Sequence, residues 1–186
     1  MELNFNASIA AHREAIDAVE NITPAIISVV QLLQHTFQAD RRVFACGNGG
    51  SAADAQHFTS ELTGRYEQDR RAYPAIALTT DTSALTAIGN DYGYAHVFAR
   101  QLEALARAGD VLIALSTSGN SGNVVEAVEY ARRHKIITVG LLGRDGGKLL
   151  TLVDHALVIP VSGTARIQEA HILILHLLCE AFENNP

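Results

Sequence analysis

From position 42 onward, short apolar runs rich in β-branched residues alternate with stretches of helical character. Such alternation is typical of βαβ units, in which crossover helices connect the strands of a parallel sheet. The predicted strands cover residues 43–46, 75–78, 111–115, 137–142 and 156–159. The pattern therefore predicts an α/β fold, a three-layer, doubly wound sandwich with a five-stranded parallel sheet of the flavodoxin-like type.

Helices are predicted between and after these strands, at residues 51–62, 83–89, 95–108, 121–134 and 164–182. The first forty residues predict a further helical pair joined near positions 21–24, with Thr23 as N-cap and Pro24 in the first turn. The second helix of this pair is apolar on much of its circumference, through Ile26, Ile27, Val29, Val30, Leu32 and Leu33. We therefore expect it to pack against another subunit as well as its own sheet.

The chain has 186 residues and is 48% hydrophobic. This length favours one domain over residues 1–186, with residues 1–40 as interface helices and 41–186 as the α/β sandwich. No apolar run approaches a membrane span and the N-terminus is too polar for a signal peptide, so we expect a cytoplasmic protein. Cys46 and Cys179 are expected to be buried free thiols rather than a disulfide.

A net charge of −6 with dispersed basic residues argues against nucleic-acid binding, which needs a concentrated basic surface. A small anionic ligand remains possible, because backbone amides bind phosphate without net positive charge. In a parallel sheet of this type, ligands bind beyond the carboxyl ends of the strands. The loops that follow the predicted strands are therefore the places to look for a site.

The first such loop, Gly47-Asn48-Gly49-Gly50-Ser51, leads from a strand into a helix. Its glycines allow the backbone to approach a ligand closely, while Asn48 and Ser51 add polar groups. Ser51 could equally be the N-cap of an ordinary strand-to-helix turn. Taken alone, this loop leaves both interpretations open.

The second loop, Ser116-Thr117-Ser118-Gly119-Asn120-Ser121, offers four hydroxyls at the positive end of a helix dipole. That arrangement is a good receptor for a phosphate dianion. Capping needs one hydroxyl, and this loop has four. No lysine of the Walker type is present, so nucleoside triphosphate chemistry is not indicated. We expect Ser116, Ser118 and Ser121 to bind the phosphate directly, and Thr117 is the next candidate.

Two predicted helices carry side chains suited to acid–base or metal chemistry. His57 and Glu61 are four residues apart and project from one face of their helix. Gln168 and His176 are eight residues apart, about 80° around the axis, and can share a broad face. The four side chains form a possible oxygen and nitrogen set for zinc. Each also has a structural explanation, since single histidines, including His134 and His171, are often core or interface residues.

At this point the sequence resembles a known family. The segments CGNGGSAADAQHFTSELTGRY, AIGNDYGYAHVFARQ, GDVLIALSTSGNSGNVVEAV, LLGRDGGKL and ARIQEAHILILHLLCE are similar, in order and spacing, to those of bacterial phosphoheptose isomerases of the sugar isomerase (SIS) fold. The resemblance implies isomerisation of sedoheptulose 7-phosphate to D-glycero-D-manno-heptose 7-phosphate, the first step toward the heptose of lipopolysaccharide or related surface glycans. It also implies a homotetramer with active sites at subunit interfaces, and zinc in at least some members.

The resemblance further implies roles for individual residues. Glu61 matches the general base and His176 the general acid, while the zinc-binding positions match His57, Glu61, Gln168 and His176. Positions that hold phosphate or nearby sugar oxygens match Ser51, Ser116, Thr117, Ser118 and Ser121. Pocket-lining positions match Asn48, Asn90, Asp91 and Arg65, with Arg65 in reach of a neighbouring subunit. Ala165 stands where some relatives carry an acidic residue, which puts one sugar contact in doubt.

Two alternative functions share the fold. A tetrameric, non-enzymatic replication-initiator-associating protein has similar segments, but that group lacks the carboxylate and histidine that Glu61 and His176 supply here. A sugar-phosphate-sensing regulatory module is the third possibility, and no DNA-binding appendage is visible in the chain. The presence of both Glu61 and His176 favours the enzyme.

Overall fold

Five parallel strands form the centre of the molecule, in a computed structural model that describes residues 5–183. The strands are Val43–Cys46 (β1), Ala75–Ala77 (β2), Val111–Ser116 (β3), Ile137–Gly143 (β4) and His155–Ile159 (β5). Their order in the sheet is β2-β1-β3-β4-β5, with Val43 paired to both Ala75 and Val111. This order reverses direction between β1 and β3, which is the switch point of a doubly wound sheet.

Seven α-helices accompany the sheet within the described residues. They are Phe5–Asn21 (α1), Thr23–Gln38 (α2), Gly50–Thr63 (α3), Thr82–Tyr92 (α4), Ala99–Leu105 (α5), Gly122–Arg133 (α6) and Thr164–Glu180 (α7). Short 3₁₀ turns occupy Tyr94–His96 and Lys148–Thr151. The predicted three-layer α/β class is confirmed.

The two faces of the sheet are covered by different helices. Alternate strand residues point to opposite sides, so Val43 and Ala45 join a core with α1, α2, α3 and α7, while Phe44 and Cys46 join a second core with α5 and α6. Every residue of β1 and β3 is buried. Strands buried on both faces have continuous apolar sequences, and these apolar runs identified the strands in the sequence.

Two predicted helix boundaries were wrong. The helix predicted at 95–108 is broken, because the chain turns after Tyr94–His96 and places Val97 and Phe98 in the second core before α5 begins. Thr23 does not cap α2, because its hydroxyl donates to the carbonyl oxygen of Glu20. Ile22 is the N-cap residue and has no side-chain hydrogen bond.

The N-terminal helical pair packs on the sheet but keeps apolar side chains in solvent. Ile26, Val29 and Leu33 are buried in the core, whereas Ile27 is 52% exposed and Phe5 is 67% exposed. Among the described residues, no single helix is long and apolar enough to cross a membrane; the bent pair α1 and α2 passes that test only by joint length and composition.

Candidate active site

Glu61, His57 and His176 meet on the outer side of the contact between α3 and α7. Glu61 Oε1 lies 2.8 Å from His57 Nε2 and 3.8 Å from His176 Nε2. The two histidine Nε2 atoms are 3.2 Å apart. The Glu61 side chain is 15% exposed, against 49% for His57 and 31% for His176. The cluster thus combines a mostly buried carboxylate with two solvent-accessible imidazoles.

Helix geometry explains how the cluster forms. His57 and Glu61 are one turn apart on α3, so their side chains are neighbours on one face. His176 comes from the far half of α7, which packs against α3. Helical spacing predicted the pairing of His57 with Glu61, and the family resemblance implied their proximity to His176. The structure brings these three residues together in a single chain.

The three donor atoms have the spacing of metal ligands. They all lie within 4.8 Å of one another. Zinc ligands at about 2.0–2.1 Å in a tetrahedral site are separated by roughly 3.3 Å. The observed separations of 2.8, 3.2 and 3.8 Å bracket that value. Two nitrogens and a carboxylate oxygen are also a donor set that suits zinc, so the residues present fit such an ion.

Gln168 does not join this cluster within one chain, which corrects the expectation that it shares a site with His176 of the same α7. Its amide packs against Gly50 at the start of α3, so closely that a Cβ on Gly50 would lie 2.6 Å from Gln168 Nε2. Gly50 and His57 are seven residues apart, about 10 Å along the helix axis. Residues eight apart are about 80° apart around α7, but they are also about 12 Å apart along its axis.

The two predicted ligand loops lie side by side at the switch point between β1 and β3. Asn48 in the first loop and Asn123 in α6 exchange two amide hydrogen bonds, each 2.8 Å long. The hydroxyl of Tyr94 adds a bond of 3.3 Å to Asn48 Oδ1. In an open α/β sheet this crevice is where ligands bind. The amide pair fixes the two loops relative to each other.

The hydroxyls of the second loop are available for an anion. Ser121 is the N-cap residue of α6, yet its side chain makes no capping bond and instead lies 3.0 Å from Ser116 Oγ. Ser118 Oγ accepts a bond of 3.2 Å from the backbone N–H of Asn120. Ser116 is buried, while Thr117, Ser118 and Ser121 are half-buried. Hydroxyls that do not cap the helix remain free to bind a ligand at its positive end.

The loop has a fixed shape because it packs against the segment after β4. Gly119 has a φ of +64°, and a Cβ there would lie 1.9 Å from the carbonyl oxygen of Gly146. Asn120 Oδ1 accepts a bond of 3.1 Å from the N–H of Lys148. No side chain fits at Gly119. The LLGRDGGKL segment, which contains Gly146 and Lys148, therefore holds the second loop in its conformation.

The remaining predicted site residues occupy three places. Ser51 is buried inside the first turn of α3, where Gly49 is the N-cap, so Ser51 is not the cap. Asn90 and Asp91 lie exposed at the end of α4 and bond to each other over 2.8 Å. Arg65 follows α3, is exposed, and donates to the carbonyl oxygen of Glu67 over 3.3 Å. Asn90, Asp91 and Arg65 thus face solvent in one chain.

Two residues near the cluster were missed by the sequence analysis. Asp54 lies one turn before His57 on α3, and its Oδ2 is buried without a partner among the described residues. Burial raises the pKa of Asp54 to about 6, partly opposed by the charge of His57. The ring of Tyr66 lies 5.7 Å from that of His176. Helical spacing relative to His57 was a usable signal for Asp54.

His171 occupies the opposite face of α7, inside the core. It is fully buried, and neither ring nitrogen has a well-formed hydrogen bond within residues 5–183. Burial lowers its pKa to about 4, with a smaller opposing effect from the backbone of Leu142. His171 is therefore a neutral core residue at physiological pH, as the sequence predicted, whereas His134 stacks on Tyr130 with ring centroids 4.1 Å apart.

Comparison with known proteins places this geometry in context. The chain matches the family model described as the SIS domain over residues 4–143. It is 50% identical over 184 residues to the phosphoheptose isomerase of Helicobacter hepaticus, with 99% of this chain and 94% of the relative covered. The similarity thus extends beyond the sheet to α7.

Two solved structures agree in fold as well as sequence. The phosphoheptose isomerase of Neisseria gonorrhoeae superposes with a TM-score of 0.86 at 48% identity, over 95% of this chain and 97% of that chain. A phosphoheptose isomerase from Francisella tularensis gives a TM-score of 0.93 at 37% identity, with 97% of both chains covered.

Proposed function

Since this chain belongs to the SIS-domain family and, within it, to the phosphoheptose isomerases, we propose that it converts sedoheptulose 7-phosphate to D-glycero-D-manno-heptose 7-phosphate. The observation that carries the mechanism is the contact of the Glu61 carboxylate with His57 and His176. A carboxylate beside an imidazole supplies the base and the acid that an aldose–ketose isomerisation needs.

Glu61 is the base in this mechanism. Its carboxylate removes a proton from C1 of the ketose, and the electrons of that C–H bond form the C1=C2 double bond of an enediol. His176 donates a proton to the oxygen on C2 as this happens. Glu61 then returns its proton to C2, while the hydroxyl on C1 gives its proton to His176 and becomes the aldehyde. Both side chains end in their starting protonation states.

The phosphate of the substrate binds at the second loop. Ser116, Thr117, Ser118 and Ser121 offer hydroxyls there, and the N–H groups at the start of α6 offer the positive end of a helix dipole. The adjoining loop contacts the sugar part of the substrate through Asn48, Gly49, Gly50 and Ser51. Binding energy from this remote phosphate orients the carbons that react.

His57, Glu61 and His176 would hold a zinc ion in this protein. Polarisation of the substrate carbonyl as a Lewis acid is the chemistry that such an ion supplies when bound. The support is the donor spacing described above and the choice of nitrogen and carboxylate oxygen donors.

The active enzyme is a homotetramer with active sites between subunits. Two observations support this. Gln168 lies about 10 Å along α3 from the cluster, so it would complete a metal site only from a neighbouring chain. Phe5, Ile9 and Ile27 are large apolar side chains that remain exposed in one chain. Arg65, Asn90 and Asp91 would line the pocket once another subunit covers them.

The product serves the synthesis of heptose for lipopolysaccharide or surface glycans, and the enzyme works in the cytoplasm. Its free, buried cysteines suit a reducing compartment.

The alternative, a non-enzymatic initiator-associating protein, is not favoured because Glu61, His57 and His176 form an acid–base cluster that such a protein does not need.

The test is an NMR assay of sedoheptulose 7-phosphate in deuterated water. The proposed mechanism predicts aldose formation together with solvent deuterium at C2, because the proton on Glu61 exchanges during the reaction. Turnover of fructose 6-phosphate, run alongside, measures selectivity for the seven-carbon chain. Absence of heptose 7-phosphate product at any enzyme concentration would rule out the isomerase.

A further inference from the structure

A buried arginine holds the end of the helix that carries the proposed base. Arg70 lies in the irregular segment after α3, and its side chain is 2% exposed. Its Nη2 donates to the backbone carbonyl oxygen of Glu61 over 2.6 Å, and its Nη1 donates to that of Leu62 over 3.0 Å. The last carbonyl groups of a helix lack partners within the helix, and a cation beside them is favourable. Arg70 therefore fixes the turn from which the Glu61 side chain projects.

The same arginine is paired with a carboxylate from the residues that follow α7. Arg70 Nε lies 3.7 Å from Glu183 Oε1, and the Glu183 side chain is 8% exposed. Neither atom has a hydrogen bond within residues 5–183, so each is the charged partner of the other. The second oxygen of Glu183, Oε2, accepts hydrogen bonds from the backbone N–H groups of Glu67 and Gln68. Glu183 thus joins the segment after α3 to the end of α7.

Buried aromatic rings support this ion pair. Arg70 Cζ lies 5.0 Å from the centroid of the Tyr73 ring, and the rings of Tyr73 and Phe182 have centroids 5.0 Å apart. Phe182 is 1% exposed and directly precedes Glu183. Close packing of this kind leaves the two charged side chains little room to move.

The ion pair connects the two helices that supply the proposed base and acid. Glu61 lies on α3 and His176 on α7, with Glu61 Oε1 and His176 Nε2 3.8 Å apart. The segment between α3 and Arg70 also carries Tyr66, whose ring centroid is 5.7 Å from that of His176. Movement of this segment would therefore disturb the surroundings of both reacting side chains.

We propose that Arg70 and Glu183 are positioning residues for the isomerisation. Their ion pair holds the last turn of α3 to the end of α7, at the spacing that lets the proposed base and acid act on one substrate. A buried ion pair adds little net stability, because the desolvation of two charges offsets their attraction. A position error of about 1 Å at a reacting group, in contrast, can lower a rate about 100-fold. The inference rests on the proposed roles of Glu61 and His176.

Kinetics of a double variant test the positioning role. Arg70→Met keeps most of the side-chain length and removes every donor, while Glu183→Gln in the same protein avoids a buried, unpaired charge. We expect kcat to fall about ten- to 100-fold, because the base and the acid are no longer held at one spacing. KM should stay within about threefold of wild type, since the proposed phosphate loop lies elsewhere, between β3 and α6.

Arg71→Met is the matched control. The Arg71 guanidinium also lies over the Tyr73 ring, at 4.8 Å, but Arg71 is exposed. Its kcat should equal that of wild type. Thermal unfolding separates positioning from folding: an ion pair that only stabilised the fold would lower the melting temperature and leave kcat of the folded enzyme unchanged. All kcat values are therefore measured well below the melting temperature of each variant.

Hydrogen exchange followed by mass spectrometry tests the link without activity. The N–H groups of Glu67 and Gln68 bond to Glu183 Oε2, so they should exchange faster in Glu183→Ala than in wild type. The buried strand β3 should keep its wild-type exchange, which shows that the variant is folded.

The outcomes separate this inference from the proposed function. A folded double variant with wild-type kcat overturns the positioning role and leaves Glu61 and His176 in the mechanism. Unchanged exchange of Glu67 and Gln68 in Glu183→Ala overturns it too, because the link would then be absent. If Glu61→Gln keeps full turnover, the base assignment fails, and the positioning role fails with it even where exchange reports the link.

Discussion

The Nε2 atoms of His57 and His176 lie 3.2 Å apart, although the two residues are separated by 119 positions in the sequence. Two ring nitrogens at this distance either share one proton or bind one ion, because two lone pairs facing each other repel. Glu61 Oε1 is the third atom of the same group, 2.8 Å from His57 Nε2. This relationship makes metal binding the first property to measure.

Removing one histidine should weaken zinc binding. We expect His57→Gln to lower the affinity for zinc by more than tenfold, because the site loses one of the three protein ligands that meet in one chain. Calorimetric titration of chelator-treated protein with zinc measures this. His35→Gln is the matched control, since His35 is exposed on α2 and bonds to the carbonyl oxygen of Gln31. Equal affinity in the two variants would refute a zinc site at the cluster.

Replacing Glu61, the proposed base, should abolish turnover without unfolding the protein. Glu61→Gln keeps the size of the side chain but removes the proton acceptor, so kcat should fall by at least about 100-fold. Circular dichroism and analytical ultracentrifugation should match wild type. Near-normal turnover in this variant would remove Glu61 from the mechanism.

Loss of one loop hydroxyl should weaken substrate binding. Ser118→Ala removes a half-buried hydroxyl at the start of the loop's turn, and a neutral hydrogen bond contributes about 0.5 to 1.5 kcal/mol. The apparent affinity should fall roughly two- to tenfold, and further if the partner is a charged phosphate. Inhibition by inorganic phosphate should weaken in parallel. Ser28→Ala, at an exposed position of α2, is the control. Unchanged phosphate inhibition in Ser118→Ala would place the phosphate elsewhere.

His171 should make the stability of the fold depend on pH. Its folded pKa of about 4 is below the ordinary 6.5. Between these values the unfolded chain binds a proton that the folded chain does not, so stability is complete above pH 6.5 and falls as pH drops toward 4. The loss between pH 8 and pH 5 should be about 2 kcal/mol.

His171→Leu should lack this component. Urea unfolding at pH 8 and pH 5, at one fixed protein concentration, compares the two proteins. At pH 8 the variant should equal or exceed wild type in stability, because a buried ring without well-formed hydrogen bonds is replaced by an apolar side chain of similar size. The same pH dependence in both proteins would contradict the neutral, buried state of His171.

Much of the fold and the position of the serine-rich loop could be predicted because their signals are local. The buried strands are continuous apolar runs, and the serine-rich loop directly follows β3. The pairing of His57 with Glu61 followed from helical spacing alone. Their contact with His176 depends on how α3 and α7 pack, which no local pattern encodes; only the family resemblance indicated it.

The expectation that Gln168 shares a site with His176 of the same α7 uses the angle around the helix. Eight residues of α-helix also rise about 12 Å, which puts Gln168 of one chain beside Gly50. Asp54 has a usable spacing, three residues before His57, but helical spacing alone does not show that its carboxyl oxygen is buried.

The packing of Gln168 on Gly50 can itself be tested with a double-mutant cycle. Gly50→Ala should stabilise the protein less than the higher helix propensity of alanine alone would, because its new methyl group must displace the Gln168 amide, the end of a flexible side chain. In the Gln168→Ala background nothing has to be displaced, so the same Gly50→Ala change should be more stabilising. Gly122→Ala, at a helical position with open space around it, measures the helix-propensity gain alone. Additive effects of Gly50→Ala and Gln168→Ala on the free energy of unfolding would show that the two residues do not touch, and would reopen a same-chain site shared by Gln168 and His176.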